Sequence, residues 1–208
     1  MAAADSHFVF DLSGGHLALD FANTVTDRPG KALERLPVYR ELVRFGRHSG
    51  VYPPTVVDRL YVKGAEQPEV AETALQEAIR LREALFAIFY AVAGGSEAPA
   101  QALARLTVAA QNVASHGRLV EVGKQFEWRW VAMDGYLDSV LWPVTRAAVD
   151  LLLSDDLKNV RVCASEDCAW LFLDKTKNHG RRWCDMKTCG NRVKARRHYE
   201  KALSGRRE

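Results

Sequence analysis

All four cysteines of this 208-residue chain fall in one C-terminal stretch, as Cys163, Cys168, Cys184 and Cys189, in the pattern Cys-x4-Cys-x15-Cys-x4-Cys. Two short cysteine knuckles joined by a spacer of about 12–20 residues supply four thiolates at the corners of a tetrahedron, the arrangement that zinc prefers. Four thiolates leave no position open for water, so the expected ion is structural, one Zn2+ per chain. Two disulfides, or four unrelated buried cysteines, are the competing readings. The equal pairing favours the metal, as does the region Met1 to Phe10, which lacks a charged segment followed by an apolar run. A segment of about 45 residues also buries too little apolar surface to hold itself together, and metal binding then supplies folding free energy.

With 48% hydrophobic residues, the remainder of the chain can bury a proper core, and one main domain plus a small appendage is expected. No run of about 18 apolar residues is present, so no membrane span is expected and the cytoplasm is the default location. The net charge of +3 is unevenly distributed. From Arg161 to Glu208 there are 13 Lys and Arg against 6 Asp and Glu, a net +7, whereas the preceding residues hold 16 against 20, a net −4. Such asymmetry points to a polyanionic partner for the small module, although basic residues also decorate ordinary solvated faces.

Read in order, His7–Leu12 alternates weakly and suggests a short strand. Leu17, Phe21 and Val25 then recur at helical spacing. Pro37 to Gly50 reads as a helix with Val38, Leu42 and Phe45 inward, and Pro53-Pro54 opens another over Val56, Val57, Leu60 and Tyr61. The longest periodic segment, Glu69 to Ala93, carries an apolar stripe of Val70, Ala74, Ile79, Leu85, Phe86, Phe89 and Val92. A further helix covers Ala98 to Ala114, with Leu103, Leu106 and Val113 as core candidates. Arg118–Val122 and Gln125–Trp130 alternate on either side of Gly123-Lys124, which predicts a β-hairpin. Tyr136 to Leu153 is helical again, and Ser154-Asp155-Asp156 reads as a link. The expected fold is mainly α with a small β-hairpin: a helical domain over residues 1–155, and a small zinc module over 156–208. Short strands flank the first knuckle, and a helix starts near Cys189, which favours a treble-clef-like module over a zinc ribbon.

The residues of that module are familiar. Cys189-Gly190-Asn191-Arg192, preceded by Arg181-Arg182-Trp183-Cys184 and by Trp170-Leu171-Phe172-Leu173-Asp174, resembles the CGNR zinc finger. Gly15-His16-Leu17-Ala18-Leu19-Asp20-Phe21-Ala22-Asn23-Thr24 looks like the start of an ABATE domain, which precedes that finger in a bacterial family associated with stress-induced transcription regulation. The resemblance therefore covers nearly the whole chain. Between Asp174 and Arg181 the family usually runs Ser-Arg-Asn, a small residue and Ser; here it is Lys175-Thr176-Lys177-Asn178-His179-Gly180, which keeps the polar, basic character.

The candidate nucleic-acid contacts are Arg181, Arg182 and Lys187 in the loop, and Arg192, Lys194, Arg196, Arg197 and Lys201 on the last helix, where cations at i, i+4 share a face. Trp170, Phe172 and Trp183 read as a mini-core about the metal, Gly190 as the residue that permits a tight turn, and Asn191 as a helix cap. Asp20, Asn23 and Thr24, with Arg82 facing them, either line a ligand pocket or form a buried, mutually satisfied cluster. No nucleophile motif, glycine-rich nucleotide loop or His-Glu-x-x-His is present, and the six histidines lack ligand spacing, so no catalysis is expected. The leading reading is a DNA-binding transcription regulator whose helical domain senses a small molecule or forms a homodimer. The alternative is a zinc-stabilised module that docks protein or RNA.

Overall fold

Four other α-helices are laid against α4 (Pro68–Ala93), a helix of 26 residues that starts on Pro68 and ends at Gly94. A computed structural model describes residues 8–204, with side chains as far as Glu200. Proline at the first turn removes only an N–H that has no helical partner, and the alanine, leucine and glutamate that follow are strong helix formers. The buried face of α4 runs through Ala71, Ala74, Leu75, Ala78, Leu81, Leu85, Ile88 and Phe89. Ala74, Leu85 and Phe89 of the expected stripe are buried, Ile79 and Phe86 are partly covered against the core, and Val70 is exposed. The small alanine side chains let neighbouring helices approach closely, so shape rather than hydrophobicity alone sets the contact face.

Around α4 pack α1 (Leu17–Ala22), α2 (Tyr39–Ser49), α3 (Pro54–Glu66) and α5 (Ala100–Ala114). Val38 and Leu103, both expected inside, are exposed. Val38 is extended and precedes α2, and Leu103 stands beside the inward stripe of Ala102 and Leu106. A two-residue β1 (Val25–Thr26) pairs antiparallel with β2 (Leu33–Glu34). The hairpin of β3 (Gly117–Val122) and β4 (Gln125–Trp130) has the anticipated register, with Gly117 opposite Trp130 and Val122 opposite Gln125. Its two-residue turn needs a left-handed first position, which Gly123 supplies at φ 65°. The expected helix over Tyr136–Leu153 is divided into a 3-10 segment, Leu137–Leu141, and α6 (Trp142–Leu152), with Pro143 in the first turn of α6.

Residues 8–12 form no strand, and His7 lies outside the described residues. The rings of Phe8 and Phe10 pack edge to face against each other, Phe10 packs against Phe45, and the Phe8 carbonyl accepts from Arg44. Among the described residues no strand pairs with this segment.

A 3-10 turn, Asp155–Asn159, leads into β5 (Val160–Val162), which pairs antiparallel with β6 (Leu171–Leu173); α7 (Asn191–Ser204) closes the chain. Val160, Leu171 and Leu173 are fully buried members of the same hydrophobic core as α1, α4 and α6. The hydrophobic core thus crosses the junction at residue 155, and the small module is rooted in the helical body. No helix among the described residues is long and apolar enough to cross a membrane.

Candidate metal centre and basic surface

The two knuckles are built by different backbone devices. Cys163 follows β5 and donates its N–H to the Trp170 carbonyl at 2.8 Å, which carries the antiparallel ladder one step past the strands. Cys168 closes its turn onto Ser165 at 3.0 Å, and Ala169 then takes a left-handed conformation at φ 57°. In the second knuckle Asp185 accepts from the N–H of Thr188 at 2.8 Å, capping a single π-helical turn, Met186–Gly190. The cap is therefore Asp185, whereas Asn191 is an exposed residue at the start of α7. A Cβ on Gly190 would meet the Met186 sulfur at 2.4 Å, a contact that the flexible, exposed Met186 side chain would have to relieve by moving aside. The two knuckles are tied together by the Ala164 N–H, which donates to the Arg182 carbonyl at 2.8 Å.

All four sulfur atoms are buried and lie within 4.8 Å of one another. Cys168 to Cys184 and Cys184 to Cys189 are each 3.6 Å apart. A tetrahedron with zinc–sulfur bonds of about 2.3 Å has edges of about 3.8 Å, so the donor set has the size and chemistry that zinc requires. Four thiols this close cannot all ionise by themselves. Hydrogen bonds from Cys168 and Cys184 hold the Cys163 thiol far below its usual range, and the same contacts push Cys168 and Cys184 up. A divalent cation at the centre removes that conflict, because it favours the thiolate at every position. The protein holds one structural zinc ion through Cys163, Cys168, Cys184 and Cys189. Trp170, Phe172 and Trp183 pack around the cluster as a separate small core.

The basic residues expected to contact nucleic acid divide into two groups. Arg181 is turned inward. Its guanidinium lies 4.5 Å from the centroid of the Phe172 ring and donates to the carbonyls of Ser13 at 2.8 Å, Trp183 at 3.0 Å and Cys184. Its N–H donates to Asp174, which is fully buried and also accepts from Thr176. Arg192 lies 3.4 Å from the Cys189 sulfur, and Arg196 pairs with Glu166 at 3.0 Å and Asp167 at 3.6 Å in the first knuckle. Arg182, Lys187, Lys194 and Arg197 are exposed on the module's surface, with Arg182 over the Trp183 ring at 5.5 Å. Lys201 belongs to α7, and its side chain falls outside the described residues.

Asp20, Asn23, Thr24 and Arg82 are all buried, and Arg82 faces Thr24, donating to its hydroxyl at 3.4 Å. Arg82 makes a two-pronged pair with Glu34 at 2.6 and 2.8 Å and also reaches Glu83. Thr24 donates to the Phe21 carbonyl at 2.8 Å. Asn23 donates to the Leu171 carbonyl at 2.8 Å and accepts the Leu171 N–H at 2.9 Å. Burial pushes the Asp20 carboxyl up to about 7, against the opposing pull of the nearby Gly14, Gly15 and His16 N–H groups. The cavity bordered by Asp20, Asn23 and Thr24 measures about 80 Å3 and does not include Arg82. Sequence reasoning found these buried polar residues but missed their most consequential partner, the β6 backbone.

Comparison with curated proteins finds no match. Residues 159–202 match the CGNR zinc finger, and residues 15–155, more than half of the chain, match the family described as "Putative stress-induced transcription regulator". With its cluster of four sulfur atoms, its helical body and these two matches in that order, the chain belongs to the ABATE family and carries a C-terminal CGNR zinc finger.

Proposed function

We propose that this protein is a cytoplasmic, DNA-binding transcription regulator in which the zinc finger grips the phosphate backbone and the helical body senses a small molecule or forms a homodimer. The observation that supports this reading is the exposed set Arg182, Lys187, Lys194 and Arg197, while Arg181, Arg192 and Arg196 of the same module are engaged within the protein. Surface cations beyond those used for folding attract phosphates and release counterions when they bind. Phosphate contacts position a protein without reading sequence, so the role assigned to this surface is affinity. One small module buries about 600–1,000 Å2 on DNA, which favours two copies acting together.

The test uses the zinc-loaded full chain, because removing the finger strands would strip Val160, Leu171 and Leu173 from the core. Fluorescence anisotropy of a labelled mixed-sequence duplex is followed across a salt series, with light scattering of the same samples to read the oligomeric state. Wild type should weaken linearly with log salt, and Lys187→Glu/Lys194→Glu/Arg197→Glu should lose binding at moderate salt. A neutral counterpart with alanine at the three positions should lower the slope by roughly 3, at about 0.9 per phosphate contact. Unchanged affinity in both variants would remove the finger from the interface and turn attention to protein partners.

A further inference from the structure

Between α4, α5 and α6 the helical body leaves a groove of about 550 Å3, within the usual range for small-molecule sites of about 300–1,000 Å3. Its walls are apolar, with Leu81, Val108, Val113 and Leu141 contributing. Two of its lining residues, Trp142 and Thr145, are 0% and 1% exposed, yet Trp142 Nε1 and Thr145 Oγ1 have no hydrogen-bond partner among the described residues. A buried donor left unpaired costs about 1–3 kcal/mol, so each is an anomaly that calls for a reason.

The anomaly at Thr145 is sharpened by two other threonines of this chain. Thr73 and Thr107, also inside helices, donate to the carbonyls four residues back, Glu69 and Leu103, both at 2.9 Å. That local solution is open to any helical threonine, and Thr145 does not use it. The indole of Trp142 is held in place from the side by the His116 ring, stacked at 4.2 Å and 10°. An indole nitrogen can only donate, so whatever pairs with it must bring an acceptor. Glu77 and Asp138 line the groove against a single arginine, Arg105, and this balance disfavours an anion.

We propose that the groove between α4, α5 and α6 binds a neutral, mainly apolar small molecule whose carbonyl-type oxygen, entering as the groove wall opens at Trp142 and Thr145, accepts hydrogen bonds from Trp142 Nε1 and Thr145 Oγ1, both closed to solvent in the ligand-free protein. The role assigned to it rests on the reading of the helical body as the sensing part of the regulator. The site differs from the one expected around Asp20 and Arg82, where the cavity is far smaller.

The probe is 6-propionyl-2-(dimethylamino)naphthalene, a neutral aryl ketone whose emission moves to the blue on leaving water. It is titrated into zinc-loaded full-length protein without DNA, so failure of the finger to bind a duplex and failure of this site are separate results. Saturable binding of one probe per chain is expected. Thr145→Val should weaken it roughly tenfold, the effect of one lost hydrogen bond to a buried group, without lowering the melting temperature of the probe-free protein. Ala109→Phe, which fills the groove from α5, should abolish binding while circular dichroism shows an unchanged helix content. Equal affinity in wild type and Ala109→Phe would overturn the proposal, as would a clear loss of thermal stability in probe-free Thr145→Val, which would show the hydroxyl to be already paired.

Discussion

Asn23→Ala should destabilise the protein well beyond what a single polar-to-alanine change usually does. In the β5–β6 ladder Arg161 stands opposite Phe172 and Val162 opposite Leu171, and the Cys163 N–H bonds to the Trp170 carbonyl. Because hydrogen-bonded and non-bonded pairs alternate in an antiparallel ladder, the N–H and C=O of Leu171 point to the outer edge of β6. Among the described residues that edge faces no further strand. Its groups are met by the Asn23 side-chain amide, at 2.8 and 2.9 Å, and by the Gly14 carbonyl, which accepts the Leu173 N–H at 2.8 Å. Asn23 thus stands in for one peptide unit of a missing strand. Asn23 is 2% exposed and Leu171 0%, so truncation leaves one buried N–H and one buried C=O unpaired. At about 1–3 kcal/mol each, the expected loss is roughly 4 kcal/mol, falling toward 2 if water enters the gap. For a chain of this size that lowers the melting temperature by roughly 8–16 °C. Urea unfolding at saturating zinc reads the change, with the slope fitted separately in wild type and variant. A companion, Asn23→Asp, keeps the acceptor for the Leu171 N–H but sets a carboxylate against its carbonyl. Only the protonated form can donate to that carbonyl, so the folded pKa stands above the unfolded one and stability is lost as pH rises. A change below about 1 kcal/mol in Asn23→Ala, at an unchanged slope, would refute the argument that this amide anchors β6.

Two further outcomes are expected. Cys184→Ser removes the sulfur that lies 3.6 Å from both Cys168 and Cys189, so metal analysis should no longer find one zinc per chain. Because β5 and β6 belong to the main core, the melting temperature should fall by several degrees even while most of the helical circular dichroism remains, and a stoichiometric, wild-type-stable variant would contradict this. Asp20→Asn bears on pH dependence. The folded carboxyl titrates at about 7, above its ordinary value, so folding takes up a proton between about pH 4 and 7 and stability falls across that window by at most about 1.4 kcal/mol per unit. The variant should flatten the dependence of melting temperature on pH between 5 and 8, and identical slopes would show that this carboxyl is not responsible.

Features whose geometry is local were legible in the sequence. The spacing of Cys163, Cys168, Cys184 and Cys189 prescribes two turns and one spacer, and the sulfur atoms duly converge. The β3–β4 hairpin follows from alternation and a Gly-Lys turn, both contained in 14 residues. The existence of α4 was legible too, as were Ala74, Leu85 and Phe89 on its buried face, but the burial of Ala71 in place of Val70 was not. Val70 outranks Ala71 in hydrophobicity, and only the close approach of neighbouring helices selects the alanines. The finger's arginines show the same limit. Counting charge cannot distinguish Arg181, folded over Phe172, from the exposed Arg182 beside it. The partner of Asn23 lies 148 residues away, and the groove at Trp142 and Thr145 needs three helices to define it. Neither leaves a periodic trace.

The route between the proposed ligand groove and the zinc centre is short. Trp142 and Thr145 stand on α6, which ends at Leu152; the 3-10 turn Asp155–Asn159 follows at once, then β5, and the residue after β5 is the zinc ligand Cys163. The same strands are packed into the core against α4, so a shift of α6 has no flexible linker in which to dissipate. Rigid connection is not yet regulation, because a ligand moves an equilibrium only by its differential affinity for two states. The requirement is quantitative and reciprocal: whatever factor the groove ligand imposes on the affinity for DNA, saturating DNA must impose on the affinity for the ligand. A tenfold factor corresponds to about 1.4 kcal/mol. Loss of the Asn23 anchor on β6 would lower that factor while leaving groove binding without DNA intact, which separates transmission through the shared core from a direct effect at either site.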